Sequence, residues 1–156
     1  MLPTEFGDFH VYAYQDAIHD DLHLAMVKGK INNERPILVR VHIHNPFEDL
    51  TASVRVNAGW PLRDALRRVG DAGEGVIVVL NNQVTNPDLI RQVKRFSDRA
   101  LSSEPRREAN PMDLRQFGLG AQILVDLGVR KMRVMSNPRK YHAISGFGLE
   151  VVEYIT

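Results

Sequence analysis

The run Val76-Ile77-Val78-Val79-Leu80 constrains this chain more than any other stretch. Five apolar residues in a row, with Gly75 before them and Asn81-Asn82 after, leave no polar face to turn toward water. A strand of this kind is buried on both faces, so other structure must cover it from both sides. The chain around it supplies the covering layers. Behind Pro61, whose missing N–H suits the first turn of a helix, Leu62, Ala65, Leu66 and Val69 recur at helical spacing, and residues 70–75 carry the glycines that stop it. Asn86-Pro87-Asp88 opens a second helix, with Leu89, Ile90, Val93, Phe96, Ala100 and Leu101 at spacings of three and four. After a charged loop over residues 102–110, residues 113–127 read as a helix closed by Gly128, and residues 132–135 as a strand. Ser136-Asn137-Pro138 opens a short helix ending near Gly146, and residues 149–155 form the last strand.

The first third reads differently. Residues 6–14 alternate around Phe9, Val11 and Ala13, residues 16–21 form a polar turn, and residues 22–27 alternate again up to Gly29. Two alternating runs joined by a short acidic turn predict a hairpin. Beyond the break at Asn32-Asn33-Glu34-Arg35-Pro36, residues 37–43 make a third strand. The predicted class is therefore α/β of a mixed, α+β kind: N-terminal antiparallel strands, then alternating helices and strands. With 156 residues and no internal repeat, residues 1–156 are expected to form a single domain with a full core.

Composition narrows the function. Twenty basic residues against nineteen acidic ones leave a formal charge of +1, which argues against a dedicated nucleic-acid binder while allowing a local phosphate site. No apolar run approaches the roughly 20 residues that cross a bilayer, and Met1-Leu2-Pro3-Thr4 carries no signal-peptide pattern, so a cytoplasmic location is expected. There is no cysteine, which rules out disulfides and thiolate metal sites.

The chemistry-bearing stretch runs from Arg40 to Leu66. An apolar strand (Ile37, Leu38, Val39, Val41) enters a polar loop carrying Arg40, His42, His44, Glu48, Asp49 and Arg55, and the loop leaves into a helix. Loops at such strand ends are where α/β proteins commonly keep their sites. This frame resembles the zinc-holding segment of GTP cyclohydrolase II, the enzyme that opens guanine at the start of riboflavin synthesis. That family writes Arg-Val-His-Ser-Glu-Cys, ten residues, then Cys-Asp-Cys-Gly. Laid over it without a gap, Arg40, Val41, His42, Asp49, Ser53, Arg55, Gly59 and Leu62 match, while the three cysteine positions fall on Asn45, Val56 and Ala58. The resemblance extends over almost the whole chain. Leu2-Pro3-Thr4-Glu5-Phe6-Gly7-Asp8-Phe9 is similar to the family opening, as is His23-Leu24-Ala25-Met26-Val27-Lys28-Gly29. Met112-Asp113-Leu114-Arg115-Gln116-Phe117-Gly118-Leu119-Gly120-Ala121 is the most specific late match.

The resemblance implies a fold and also a set of losses. In the family a zinc-bound water attacks the imidazole carbon of guanine, which leaves as formate; coordination lowers the pKa of water from 15.7 to about 7. Here an amide and two aliphatic side chains replace the three thiolates, so zinc is expected to be absent and no cofactor is expected. The family's Arg-Gln-Glu-Gly-Arg, which grips the triphosphate and its magnesium, is replaced by Asn81-Asn82-Gln83-Val84-Thr85, and neutral amides substitute poorly for charged phosphate donors. After Met135 the family's Thr-Asn-Asn-Pro becomes Ser136-Asn137-Pro138, and residues 102–110 do not reproduce the family segment with its functional tyrosine.

Other positions persist. By the resemblance, Arg115 matches the nucleophilic arginine, Asp113 its acidic partner, Arg40 and His42 the nucleotide-binding strand, and Lys140 the phosphate lysine. The plainer readings are helix capping for Asp113, an ion pair for Arg115 and an exposed lysine near a turn for Lys140. His42 and His44 lie two apart on one strand face with Glu48 and Asp49 close behind, a substitute metal set or a hydrogen-bonded surface pair.

The resemblance thus implies a degenerate domain of the kind found C-terminal to 3,4-dihydroxy-2-butanone 4-phosphate synthase, in an accessory, regulatory or dimerising role. The family opening directly after Met1 suggests a piece of a longer two-domain chain. The alternatives are an active cyclohydrolase with another metal, or with none and relying on Arg115, and a nucleotide or flavin sensor. A homodimer is implied too, with Trp60, Phe117 and Tyr141 as packing candidates or simply core.

Overall fold

The structure, a computed structural model, describes residues 1–51, 59–81, 85–97, 111–137 and 145–156. Its strands are β1 (Leu2–Thr4), β2 (Gly7–Gln15), β3 (Leu22–Lys28), β4 (Ile37–His44), β5 (Gly75–Asn81), β6 (Lys131–Met135) and β7 (Glu150–Ile155). Its helices are α1 (Pro46–Thr51), α2 (Leu62–Ala72), α3 (Asn86–Ser97) and α4 (Pro111–Asp126), with a 3-10 turn at Ser145–Phe147. The strands form one sheet in the order β1-β2-β3-β5-β4-β6-β7. Pairing is antiparallel from β1 across to β5 and parallel from β5 through β4 and β6 to β7. The mixed α/β class is the one the sequence predicts.

The expected hairpin is present, with Tyr12 opposite Ala25 and a turn closed by Asp16 N–H donating to the Asp21 carbonyl at 2.8 Å. The Asp16 carboxylate accepts from Ile18 N–H, and Asp20 takes the left-handed conformation that the turn requires.

The apolar strand β5 lies inside the sheet, covered on both sides. Val76, Val78 and Leu80 pack with Ala25, Val27, Ile37, Val39 and, from α4, Ala121, Ile123 and Leu124. Ile77 faces the other way, against Phe9, Leu38, Met135 and, from α2, Ala65 and Val69. Each such buried aliphatic contributes about 1.5–3 kcal/mol of transfer free energy. Across the outer strands, Tyr14 of β2 donates its hydroxyl to Asp126 at 2.8 Å; burial and the neighbouring carboxylate push the phenol up to about 12.

Three expectations need correction. The segment taken as polar loop after β4 folds into α1 at once, because Asn45 caps it and Pro46 suits its first turn. Pro61 is the N-cap residue of α2, extended at ψ 149°, so the helix proper begins at Leu62. The stop of α2 expected within residues 70–75 falls at Gly73, which takes the left-handed conformation. The three-residue strand β1 precedes β2, a pairing too short and exposed to show in the pattern. The loop at residues 102–110 and most of the helix expected after Ser136 lie outside the described residues. Among the described residues no helix is long and apolar enough to cross a membrane.

Candidate functional site

β4 and β5 run parallel and finish together, with His44 opposite Asn81. From β4 the chain passes to α2 on one face of the sheet; from β5 it passes to α4 on the other. Chain departures to opposite faces open a crevice at the carboxyl ends of parallel strands, the usual place for a ligand in α/β sheets.

Alternation along β4 divides its side chains. Ile37 and Val39 face α4, so Leu38, Arg40, His42 and His44 face the α2 side. Arg40 Nη1 donates to the Met135 carbonyl at 3.0 Å across the strand end. The same guanidinium lies beneath Gly59, where a Cβ would sit 3.5 Å from Nη2 and where a φ of +75° also favours glycine.

His42 and His44 meet on one carboxylate. Asp49, carried back by α1, accepts from His42 Nε2 at 3.0 Å and from His44 Nδ1 at 2.7 Å, and its Oδ2 also accepts the Asn45 backbone N–H at 3.2 Å. The helical turn delivers it, since Asp49 N–H bonds to the Asn45 carbonyl at 2.9 Å. Burial holds the His42 pKa below its ordinary value; the bond to Asp49 and its charge oppose this, and Arg40 and His44 reinforce it. With Nε2–H given to Asp49, His42 Nδ1 is an unprotonated acceptor, buried and without a partner among the described residues.

Asn45 occupies the first of the three family cysteine positions. Its side-chain oxygen accepts from the backbone N–H groups of Phe47 at 3.1 Å and Glu48 at 3.2 Å, so it serves as the cap of α1. Val56 and Ala58, the other two, lie outside the described residues, and neither side chain has a donor atom for a metal. The residues at the family zinc position therefore do not fit the ion. As for a substitute set, His42 and His44 each turn a ring nitrogen onto Asp49, and no group of three histidine, aspartate or glutamate side chains among the described residues is placed to share an ion.

The remaining candidates fall elsewhere. Asp113 and Arg115 lie in the first turns of α4, on the opposite side of the sheet from Arg40 and His42; their side chains are outside the described portion. Lys140 and Tyr141 are outside it too, as are residues 82–84 of the stretch that aligns with the family's triphosphate loop. Trp60 and Phe117 are partly buried core packing, and Trp60 Nε1 donates to the Ile155 carbonyl at 2.8 Å. Sequence reasoning missed His23, which is 3% exposed beside Asn81. A signal existed: in the alternating run 22–27 it shares the inward phase of Ala25 and Val27.

Comparison with known proteins places this chain in a family. The model of the GTP cyclohydrolase II family matches residues 1–156. A 3,4-dihydroxy-2-butanone 4-phosphate synthase of Pseudomonas aeruginosa is 42% identical over 154 residues, covering 99% of this chain and 41% of that protein. The riboflavin biosynthesis protein RibBA of Chlorobium phaeovibrioides is 40% identical over 159 residues, covering 99% and 39%. The corresponding RibBA of Bacillus cytotoxicus is 35% identical over 159 residues, covering 99% and 40%. The chain thus spans about two fifths of the length of these relatives. By this family match from first residue to last, the chain belongs to the GTP cyclohydrolase II family.

Proposed function

We propose that this chain is a member of the GTP cyclohydrolase II family that does not open guanine, and that it serves riboflavin synthesis as an accessory, regulatory or dimerising domain of a 3,4-dihydroxy-2-butanone 4-phosphate synthase. One observation carries the reading: Asn45 stands at the first zinc position with its side-chain oxygen already engaged by Phe47 and Glu48. The absence of any cysteine supports it. Without the ion, no group at this position lowers the pKa of water toward neutrality, and Arg115 has no ring-opening step to complete. Relatives that carry the synthase name and are about two and a half times as long support the fusion. A homodimer is part of the proposal, with the exposed Ile90 and Val93 of α3 as apolar surface for a second copy to cover.

Metal analysis and incubation with GTP test the first half. The expected result is no stoichiometric zinc and no formate; formate release with bound metal overturns it. The accessory role is tested on the full-length synthase with and without this segment. Reduced or altered activity on removal is expected, and unchanged activity and assembly refute the role. A second reading, binding of a nucleotide or flavin without turnover, is favoured by the buried ring N–H of His23, which has no partner among the described residues, at the carboxyl end of β5.

A further inference from the structure

β2 is longer than the strand that covers its outer side. β1 pairs only with Gly7, Asp8 and Phe9, and among the described residues no strand lies against the outer side of residues 10–15. The hairpin shows which backbone groups face out there. Asp16 N–H donates to the Asp21 carbonyl, and the antiparallel register continues through Tyr14 opposite His23 and Tyr12 opposite Ala25. Hydrogen-bonded pairs alternate along such a ladder, so His10, Tyr12 and Tyr14 turn their backbone groups toward β3, and Val11, Ala13 and Gln15 turn theirs outward.

Sheet edges are normally blunted by charged side chains, proline or a bulge, because a bare edge pairs with other strands. The opposite edge of this sheet is blunted: β7 carries Glu150 and Glu153 and shifts register against β6 at Met132 and Arg133. The free part of β2 has none of these devices. His10-Val11-Tyr12-Ala13-Tyr14-Gln15 holds no carboxylate, lysine, arginine or proline, and it runs along β3 without a shift. Val11 and Tyr12 are 39% and 45% exposed, one on each face of the sheet. Leu22, opposite Gln15, adds an exposed aliphatic on the face of Val11.

The strand is complementary to itself. When two copies of β2 lie antiparallel about an axis at Ala13, outward residue meets outward residue: Val11 faces Gln15, and Ala13 faces Ala13. Each outward N–H and C=O of Val11, Ala13 and Gln15 then has a partner. In the same register Tyr12 faces Tyr14, an aromatic cross-strand pair, and Asp16 faces His10 rather than another carboxylate. The contact is twofold and closed, and it leaves only the blunted β7 edges at the two ends.

We propose that residues 10–15 of β2 are the contact by which a second copy of this chain joins, antiparallel about Ala13, to make one continuous sheet. The inference rests on the homodimer reading and gives that dimer a contact additional to Ile90 and Val93 of α3.

Sedimentation velocity of the parent and its variants tests it. Because Ala13 faces its own copy, Ala13→Lys and Ala13→Glu each set two like charges together, and each is expected to raise the dimer dissociation constant at least about tenfold. Mixed in equal amounts, the two are expected to return to dimer, since opposite charges then face each other. Dissociation of both without recovery on mixing overturns the pairing about Ala13. If both stay as dimeric as the parent, the edge contact is overturned while the homodimer reading stands; loss of the dimer in Ile90→Lys alone has the same meaning and assigns the contact to α3. A monomeric parent overturns both. Should the charged variants fail to fold, Ala13→Cys decides. The chain has no cysteine of its own, and facing Cα atoms about 5.5 Å apart are within disulfide reach. A covalent dimer on air oxidation is expected, and a chain that stays unlinked refutes the proposal.

Discussion

Asp49 is the side chain that holds the site at the end of β4 together, and removing it has a calculable cost. Its carboxylate accepts three bonds: from His42 Nε2, from His44 Nδ1 and from Asn45 N–H. The three are unequal. His42 is 8% exposed, so its N–H would be left nearly dry, and a hydrogen bond from such a group to an ionised acceptor is worth about 1.5–3 kcal/mol. The His44 side chain is 36% exposed and water replaces much of what it loses, which leaves well under about 1 kcal/mol. The backbone bond at 3.2 Å is long and adds a few tenths. Asp49→Ala is therefore expected to destabilise the fold by about 2–3 kcal/mol. For a chain of 156 residues that corresponds to a fall of roughly 5–10 °C in Tm. Asp49→Asn keeps one acceptor oxygen and can serve only one imidazole well, so it should lose about half as much. Urea unfolding of the two variants beside the parent is the assay. If Asp49→Ala falls within about 0.5 kcal/mol of the parent, the carboxylate is a solvated surface group and the account of the site is wrong.

Two further outcomes follow from the same structure. Burial holds the His42 pKa below the ordinary value of about 6.5, so between the two values the unfolded chain binds a proton that the folded chain does not. Stability should accordingly drop as pH falls through about 6.5, and the drop should be shallower in His42→Gln; an identical slope in the two proteins refutes the assignment. Gly70 lies in α2 where a Cβ would come 2.4 Å from the Phe6 carbonyl oxygen, whereas a Cβ on Gly118 in α4 would meet nothing within 4 Å. Gly70→Ala should lose about 1–2 kcal/mol in thermal unfolding despite better helix propensity, and Gly118→Ala should gain about 0.5–1 kcal/mol. Equal effects of the two would mean that α2 does not press on the β1–β2 turn.

The elements legible in the sequence are those whose burial is itself periodic. β5 announced its two covered faces by an unbroken apolar run, and the hairpin showed in the alternation of β2 and β3. α1 was missed because none of its residues is buried and no apolar period marks it; only the capping chemistry of Asn45-Pro46 did, and that signal was present. The glycines of residues 70–75 marked the end of α2 without saying which one caps it, because Gly70 is instead a close contact with Phe6 far back in the chain and Gly73 is the cap. The site divides in the same way. His42, His44 and Asp49 lie within eight positions of one another, so a strand followed by a single helical turn brings them together, and local spacing was enough to find them. His23 and Asn81 are 58 residues apart and meet only because β3 pairs with β5 in one register. A shift of that register by one residue would turn His23 to the opposite face of the sheet, away from Leu80 and α4. Local spacing carries no record of that register, so only the paired sheet reveals the buried donor.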